Sequence, residues 1–121
     1  VLHADEKGNI HLKSFDKHNP YQVWSLFDDT YTTTSIYNIG AKMSLDGYAD
    51  GENVQCSPDN ANNLYQQWTR RDSRESPYHN FIHHKSGLYL DISEPDRVCL
   101  HPHKHGEPCQ DWYLILLDET P

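Results

Sequence analysis

The sequence predicts an all-β domain of three repeats, and three observations carry that expectation. The only tryptophans, Trp24, Trp68 and Trp112, recur at a strict interval of 44 residues, each in one word: Gln22-Val23-Trp24, Gln66-Gln67-Trp68 and Gln110-Asp111-Trp112. Self-similarity at a period of about 20–50 residues marks a chain built from copies of one supersecondary unit. A β-branched aliphatic lies fourteen residues before each Trp (Ile10, Val54, Val98), followed two residues later by Leu12, Cys56 or Leu100. Residues i and i+2 share a strand face, so these pairs read as three copies of one half-buried strand. Finally, no segment shows the roughly 3.6-residue apolar period of an amphipathic helix.

In chain order, Val1 to His3 reads as the end of a first strand, turning at Asp5-Glu6-Lys7-Gly8. Asn9 to Phe15 alternates, with Ile10 and Leu12 inward and His11 and Lys13 outward, and reads as a strand. Asp16 to Pro20 turns by its Asp, Asn and Pro. Tyr21 to Phe27 is the first word-bearing strand, with Gln and Trp on one face, and Asp28-Asp29 begin a turn. Thr32 to Ile39 is rich in β-branched residues and Tyr, as strands are.

The second repeat opens at Gly40 to Asp46, turns at Asp50-Gly51 and continues as a strand from Asn53 to Cys56. An Asn/Asp/Pro loop from Ser57 to Asn63 leads to the second word-bearing strand, Leu64 to Arg70. Tyr78–His84 is a strand, Lys85-Ser86-Gly87 a turn, and Leu88–Ile92 the next strand. Val98 to His101 then extends, and a loop from His103 to Pro108 returns to Cys109–Leu117. The repeats fall at roughly residues 1–35, 36–79 and 80–121 of one domain. Three full units would need 132 residues, so the chain is about eleven short, and only nine follow Trp112. The closing strand is therefore expected to be very short or missing.

A chain of 121 residues suffices for one self-supporting core. Its formal net charge of −8, from 10 basic and 18 acidic residues, argues against nucleic acid and heparin, which draw on clustered Lys and Arg. Arg70-Arg71 with Arg74 are balanced by Asp72 and Glu75 and read as a solvated hairpin or loop. No apolar run is long enough to enter a membrane as a helix. No leader is visible before Val1, as in a processed protein or an excised domain. Three cysteines are too few for a disulfide framework. Cys56 reads as a buried thiol, and Cys99 and Cys109, on neighbouring strands, either pair or stay free.

Upstream of the words, two repeats carry Leu-Asp (Leu45-Asp46, Leu90-Asp91) and the first carries Leu2-His3. With these words in register, the chain resembles the ricin-type β-trefoil lectins, whose signature is three Gln-x-Trp words, each following a Leu-Asp strand. The resemblance spans essentially the whole chain. It implies a β-trefoil that binds galactose- or N-acetylgalactosamine-type glycans on glycoproteins or glycolipids. The family's usual bridge is absent, since Ser44 or Tyr89 stands where its first Cys would be. The resemblance favours an extracellular or secreted protein, multivalent or the targeting domain of a larger one, with a homodimer among its open assemblies.

Sugar recognition needs a carboxylate that accepts from adjacent hydroxyls, an amide or imidazole that fixes orientation, and often a flat ring. Such groups discriminate because the wrong epimer leaves them unpaired. By the resemblance, the carboxylate is the Asp of Leu-Asp, the ring stands on the following strand, and the Gln of the word holds the Asp. Repeat three then offers Asp91, His101 and Gln110, the best site. Repeat two offers Asp46, Gln55 and Gln66, with Ser57 at the ring position. Repeat one has His3 in place of Asp, with Lys13 and Gln22, and is expected to be structural. The family's Asn before the Gln is replaced by Tyr21, Tyr65 and Cys109.

His101, His103 and His105 alternate, but Pro102 and Gly106 end the strand there, and no carboxylate or thiolate is spaced to complete a metal site. Neither metal nor cofactor is expected. Protonating all nine His would move the formal charge from −8 to +1, so weaker binding below about pH 6 is expected. No nucleophile–base word, phosphate loop or acid–base couple is present, so an enzyme is not expected. The alternative to a lectin is a protein-binding trefoil, cytokine-like or protease-inhibitor-like, with no sugar site.

Overall fold

The computed structural model describes residues 1–26, 33–47, 53–75, 77–94, 97–104 and 107–115. Within them the chain is all-β: β1 (Leu2–Ala4), β2 (Ile10–Leu12), β3 (Trp24–Ser25), β4 (Thr33–Thr34), β5 (Tyr37–Asn38), β6 (Met43–Gly47), β7 (Val54–Ser57), β8 (Trp68–Asp72), β9 (His79–His83), β10 (Tyr89–Asp91) and β11 (Cys99–His101). It is a β-trefoil, and its three-fold repetition is visible in the pairing. β1 with β2, β6 with β7 and β10 with β11 are equivalent antiparallel hairpins, in which Leu2 faces Leu12, Leu45 faces Cys56 and Leu90 faces Leu100. These inward residues make the core with Trp68, Val54, Val98 and Phe81. Leu45, Leu90, Leu100 and Trp68 are fully buried, and Leu100 and Trp68 lie in the 44-residue register.

The word-bearing segments depart from the sequence expectation. Each Gln closes a 3₁₀ turn (Pro20–Gln22, Leu64–Gln66, Pro108–Gln110), and where a strand follows it begins only at the Trp. The cause is local. Asn19 and Asn63 accept the backbone N–H of Tyr21 and Tyr65 at 3.0 Å, and Pro20 and Pro108 open their turns with φ already fixed. Gln and Trp therefore do different work. Each Trp indole N–H donates to the carbonyl of the Leu that precedes the site residue: Trp24 to Leu2 at 3.1 Å, Trp68 to Leu45 at 2.9 Å and Trp112 to Leu90 at 3.1 Å.

Thr32 to Ile39 is likewise not one strand. β4 pairs with β8, whereas β5 pairs with β3 and β6, so the chain changes sheets around the buried Ile36. The Arg cluster is not wholly solvated, because Arg70 is buried in β8 and Arg71 donates to the Tyr89 hydroxyl at 3.0 Å. All three cysteines are free thiols, so Cys99 and Cys109 do not pair. Burial pushes the Cys56 thiol up to about 12. The expected turns at Asp28-Asp29 and Asp50-Gly51, His105, and the end of the last expected strand lie outside the described residues.

Repeats interlock through close backbone approach. The Gly8 carbonyl accepts from the Cys56 N–H at 2.7 Å. A Cβ at Gly8, where φ is +88°, would stand 2.3 Å from the Cys56 carbonyl oxygen, so only glycine fits. A second seam runs through the carbonyls before Gln22 and Gln66. Asn38 Nδ2 donates to the Tyr21 carbonyl at 2.9 Å, and His83 Nε2 meets the Tyr65 carbonyl at 2.8 Å. Asn38 and His83 are thus equivalents, each followed four residues on by a left-handed residue, Lys42 (φ 57°) or Gly87 (φ 74°).

His83 is fully buried against the Trp68 ring. With Nε2–H donating to Tyr65 and Nδ1 facing the Ser86 hydroxyl at 2.8 Å, the neutral ring is satisfied. Burial lowers its pKa below the usual 6.5, against smaller opposing effects of the Tyr65 carbonyl and Asp46. The unfolded chain then takes up this proton at higher pH than the native one, so stability falls as pH drops below about 6.5. His83→Asn, which borrows the Asn38 solution, should lose some stability at pH 8 from the vacated ring volume but show a flatter loss between pH 7 and 5. Urea unfolding at several pH values checks the slope, and an unchanged slope would contradict the assignment.

Candidate functional site

The outward face of each hairpin holds the site position. Opposite pairs there are His3 with His11 in repeat one, Asp46 with Gln55 in repeat two, and Asp91 with Cys99 in repeat three. Two residues beyond the second member come Lys13, Ser57 and His101 on the same face. The strand pairing therefore sets the expected site residues in equivalent places in all three repeats. It also adds His11 and Cys99 as the counterparts of Gln55.

Each Gln braces the loop that borders this face, by one pattern. Gln22 Oε1 accepts from Asp16 N at 2.8 Å and Nε2 donates to the Ser14 carbonyl at 3.0 Å. Gln66 does the same with Asn60 N and the Pro58 carbonyl, both at 2.9 Å. Gln110 repeats it with Lys104 N at 2.9 Å and the Pro102 carbonyl at 2.8 Å. In repeats two and three the same amide also reaches the site carboxylate, Asp46 Oδ2 at 3.3 Å and Asp91 Oδ2 at 2.9 Å.

Around these carboxylates the repeats differ. Asp46 is buried, at 4% exposure, and Asn63 Nδ2 lies 3.4 Å from its Oδ2, beside the half-buried Gln55 and Ser57. Asp91 is wholly enclosed. Its Oδ1 accepts from Ser93 N at 2.5 Å, while Oδ2 meets the Lys104 ammonium at 3.4 Å and the Cys109 thiol at 3.8 Å. Burial works against its charge, but the hydrogen bonds from Ser93 and Gln110 and the Lys104 charge outweigh it and hold its pKa below the usual carboxylate value. The two thiols face Asp91, Cys99 through the backbone carbonyl at 3.8 Å. Burial and the Asp91 charge push both thiols up.

In repeat one, His3 is buried and its Nδ1 has no hydrogen-bond partner among the described residues. Burial, then Lys13 and His11, lowers its pKa, so it sits neutral where the other repeats hold an anion. The nearby Asp5 is held at about 2, chiefly by its 2.9 Å hydrogen bond with His11.

Sequence reasoning missed Asn63, Lys104 and Cys99. Two were signalled by the period. Asn19 and Asn63 stand three before their Gln. Asp16, Asn60 and Lys104 stand six before it. Asp16 and Asn60 close Asx turns onto His18 N and Asn62 N at 3.0 Å, whereas Lys104 sends its side chain to Asp91 and to Ser93 Oγ at 3.2 Å. An open polar depression of about 290 Å³ flanks Lys104, lined also by Ser73, Asn80, Glu107 and Asp111.

Replacing Gln66 by Leu strands the Asn60 N–H, the Pro58 carbonyl and one contact of Asp46 in a nearly closed space. That should cost about 3 kcal/mol, against about 1 kcal/mol for Gln22→Leu in its more open loop. Urea unfolding measures both, and equal costs would contradict the Asp46 link.

No protein-family description matches the chain, and no curated protein matches it. Among solved structures it is similar to the crystal structure of the designed 3-fold symmetric protein ThreeFoil. The TM-score is 0.75 at 21% identity, over 91% of this chain and 83% of that one. That likeness shows the β-trefoil fold.

Proposed function

We propose that this protein is a carbohydrate-binding lectin that takes galactose- or N-acetylgalactosamine-type glycans, with repeat two as its principal site. The observation that carries the reading is the carboxylate of Asp46, oriented by Gln66 and Asn63 and set opposite the half-buried amide of Gln55. A fixed acceptor beside an amide that both donates and accepts suits adjacent sugar hydroxyls, and an epimer that misplaces one leaves a polar group unpaired. The galactose-type preference rests on the resemblance of the repeats to ricin-type lectins.

Repeat three has the tighter Asp–Gln pair, but Asp91 is closed off and already holds Lys104. The lysine on Asp91, against the half-buried Gln55 and Ser57 beside Asp46, supports placing the principal site in repeat two, reversing the order expected from sequence. The two site carboxylates stand in separate repeats, each tied to its own Gln, which favours binding over acid–base catalysis. The net charge of −8 favours neutral glycans over nucleic acid. One observation favours the alternative of a protein partner. Tyr78 and Tyr113 are 41% and 60% exposed and meet edge to face at 6.2 Å, and such exposed aromatics suit protein interfaces.

A glycan array probed with the wild type, Asp46→Ala and Tyr113→Ala tests the reading. Galactose-terminated glycans should bind, and Asp46→Ala should weaken them at least tenfold (about 1.4 kcal/mol) with the fold intact. Tyr113→Ala should leave binding unchanged. Silence of the folded wild type across the array would overturn the lectin reading in favour of a protein partner.

A further inference from the structure

We propose that the third repeat is a zinc site, with Asp91, Cys99 and His101 as protein ligands and the fourth position left to solvent. The β10–β11 pairing sets Cys99 opposite Asp91 and puts His101 two residues on along the same face. One ligand atom from each residue lies within 4.8 Å of the other two. The Nε2 atom of His101 is enclosed and has no hydrogen-bond partner among the described residues. Glu94 Oε1 stands 3.9 Å away, and its carboxylate is already tied to Arg97. A buried imidazole nitrogen without a partner calls for an occupant.

The donor set has no counterpart in repeat two, where the positions of Cys99 and His101 hold Gln55 and Ser57, or in repeat one, where they hold His11 and Lys13. A thiolate, an imidazole and a carboxylate suit Zn²⁺, which is bound tetrahedrally at about 2.0–2.3 Å, so ligand atoms stand about 3.5 Å apart. The cradle must contract by about 1 Å, a shift within reach of side chains. Its outer support is in place: Gln110 and Ser93 already orient the Asp91 carboxylate, as partners of metal ligands do. The Cys99 proton leaves to solvent as the thiolate binds.

Lys104 holds the place of the cation. Its ammonium stands 3.4 Å from Asp91 Oδ2, but the side chain is 35% exposed and flanks the polar depression with Glu107 and Asp111, where it can withdraw. Zinc and the Lys104 ammonium thus compete for one carboxylate. Sequence reasoning passed over this site because it sought ligands along the chain from His101 to His105. The carboxylate and the thiolate instead come from β10 and from the start of β11. His103 stacks on Tyr89 with ring centroids 4.5 Å apart.

The test is a cobalt(II) titration of the reduced, metal-free protein, followed by the thiolate-to-cobalt charge-transfer band, with zinc then added as competitor. The wild type should show the band at one equivalent and zinc should abolish it. Cys99→Ser and the half-exposed His101→Asn should each weaken binding at least tenfold, Lys104→Met should tighten it, and Cys56→Ser should change nothing. Should Cys99→Ser fail to fold, His101→Asn alone decides. Absence of the band, or a band that survives His101→Asn at unchanged affinity, would overturn the proposal. The lectin reading does not depend on the outcome, because it rests on Asp46.

Discussion

The hydrogen bond from each tryptophan indole to the carbonyl of a leucine in its repeat's hairpin is the constraint on which the rest depends. It joins a word late in each repeat to a strand about 22 residues earlier, and it recurs as Trp24–Leu2, Trp68–Leu45 and Trp112–Leu90. One ring thereby fills the core and pins the strand that carries the outward site residue. Two residues before it, the Gln braces the loop on the outer side of the same hairpin. Between them these two side chains hold His3, Asp46 and Asp91 in equivalent places. The frame is repeated, and what stands on it is not.

The differences between repeats decide the chemistry. In repeat two, amides surround the carboxylate, and amides discriminate among hydroxyls. In repeat three the same positions carry a thiol and an imidazole, and a lysine closes over the carboxylate. In repeat one a neutral histidine replaces the anion altogether. A three-fold scaffold permits this because the Trp and Gln that hold each hairpin are distinct from the residues on its outward face.

Much of the fold was legible in the sequence, because the core is written in residues whose burial repeats with the period. Ile10, Val54 and Val98, and Leu12, Cys56 and Leu100, fall in register at 44 residues, and the structure packs all six in or against one core. What the pattern concealed was local. The alternation of Gln and Trp is equally spelled by a strand or by a 3₁₀ turn followed by a strand, and the capping of Asn19 and Asn63 decides for the turn. The change of sheet near Ile36 is set by long-range pairing that propensity does not see. The register set the expected site residues in equivalent places, but it did not give their accessibility. Asp91 is enclosed by Ser93, Gln110, Cys109 and Lys104, and the direction of the Lys104 side chain is a rotamer choice that leaves no mark on the period.

Each repeat carries its own reporter, since each indole N–H lies one residue from the site position through its leucine carbonyl. The most direct measurement is therefore the ¹H–¹⁵N spectrum of the three indoles during titration with methyl β-galactoside. The account predicts that the Trp68 signal moves progressively and saturates while Trp24 and Trp112 stay near their starting positions. Movement of Trp112 alone, or three stationary signals with the protein folded, would contradict it.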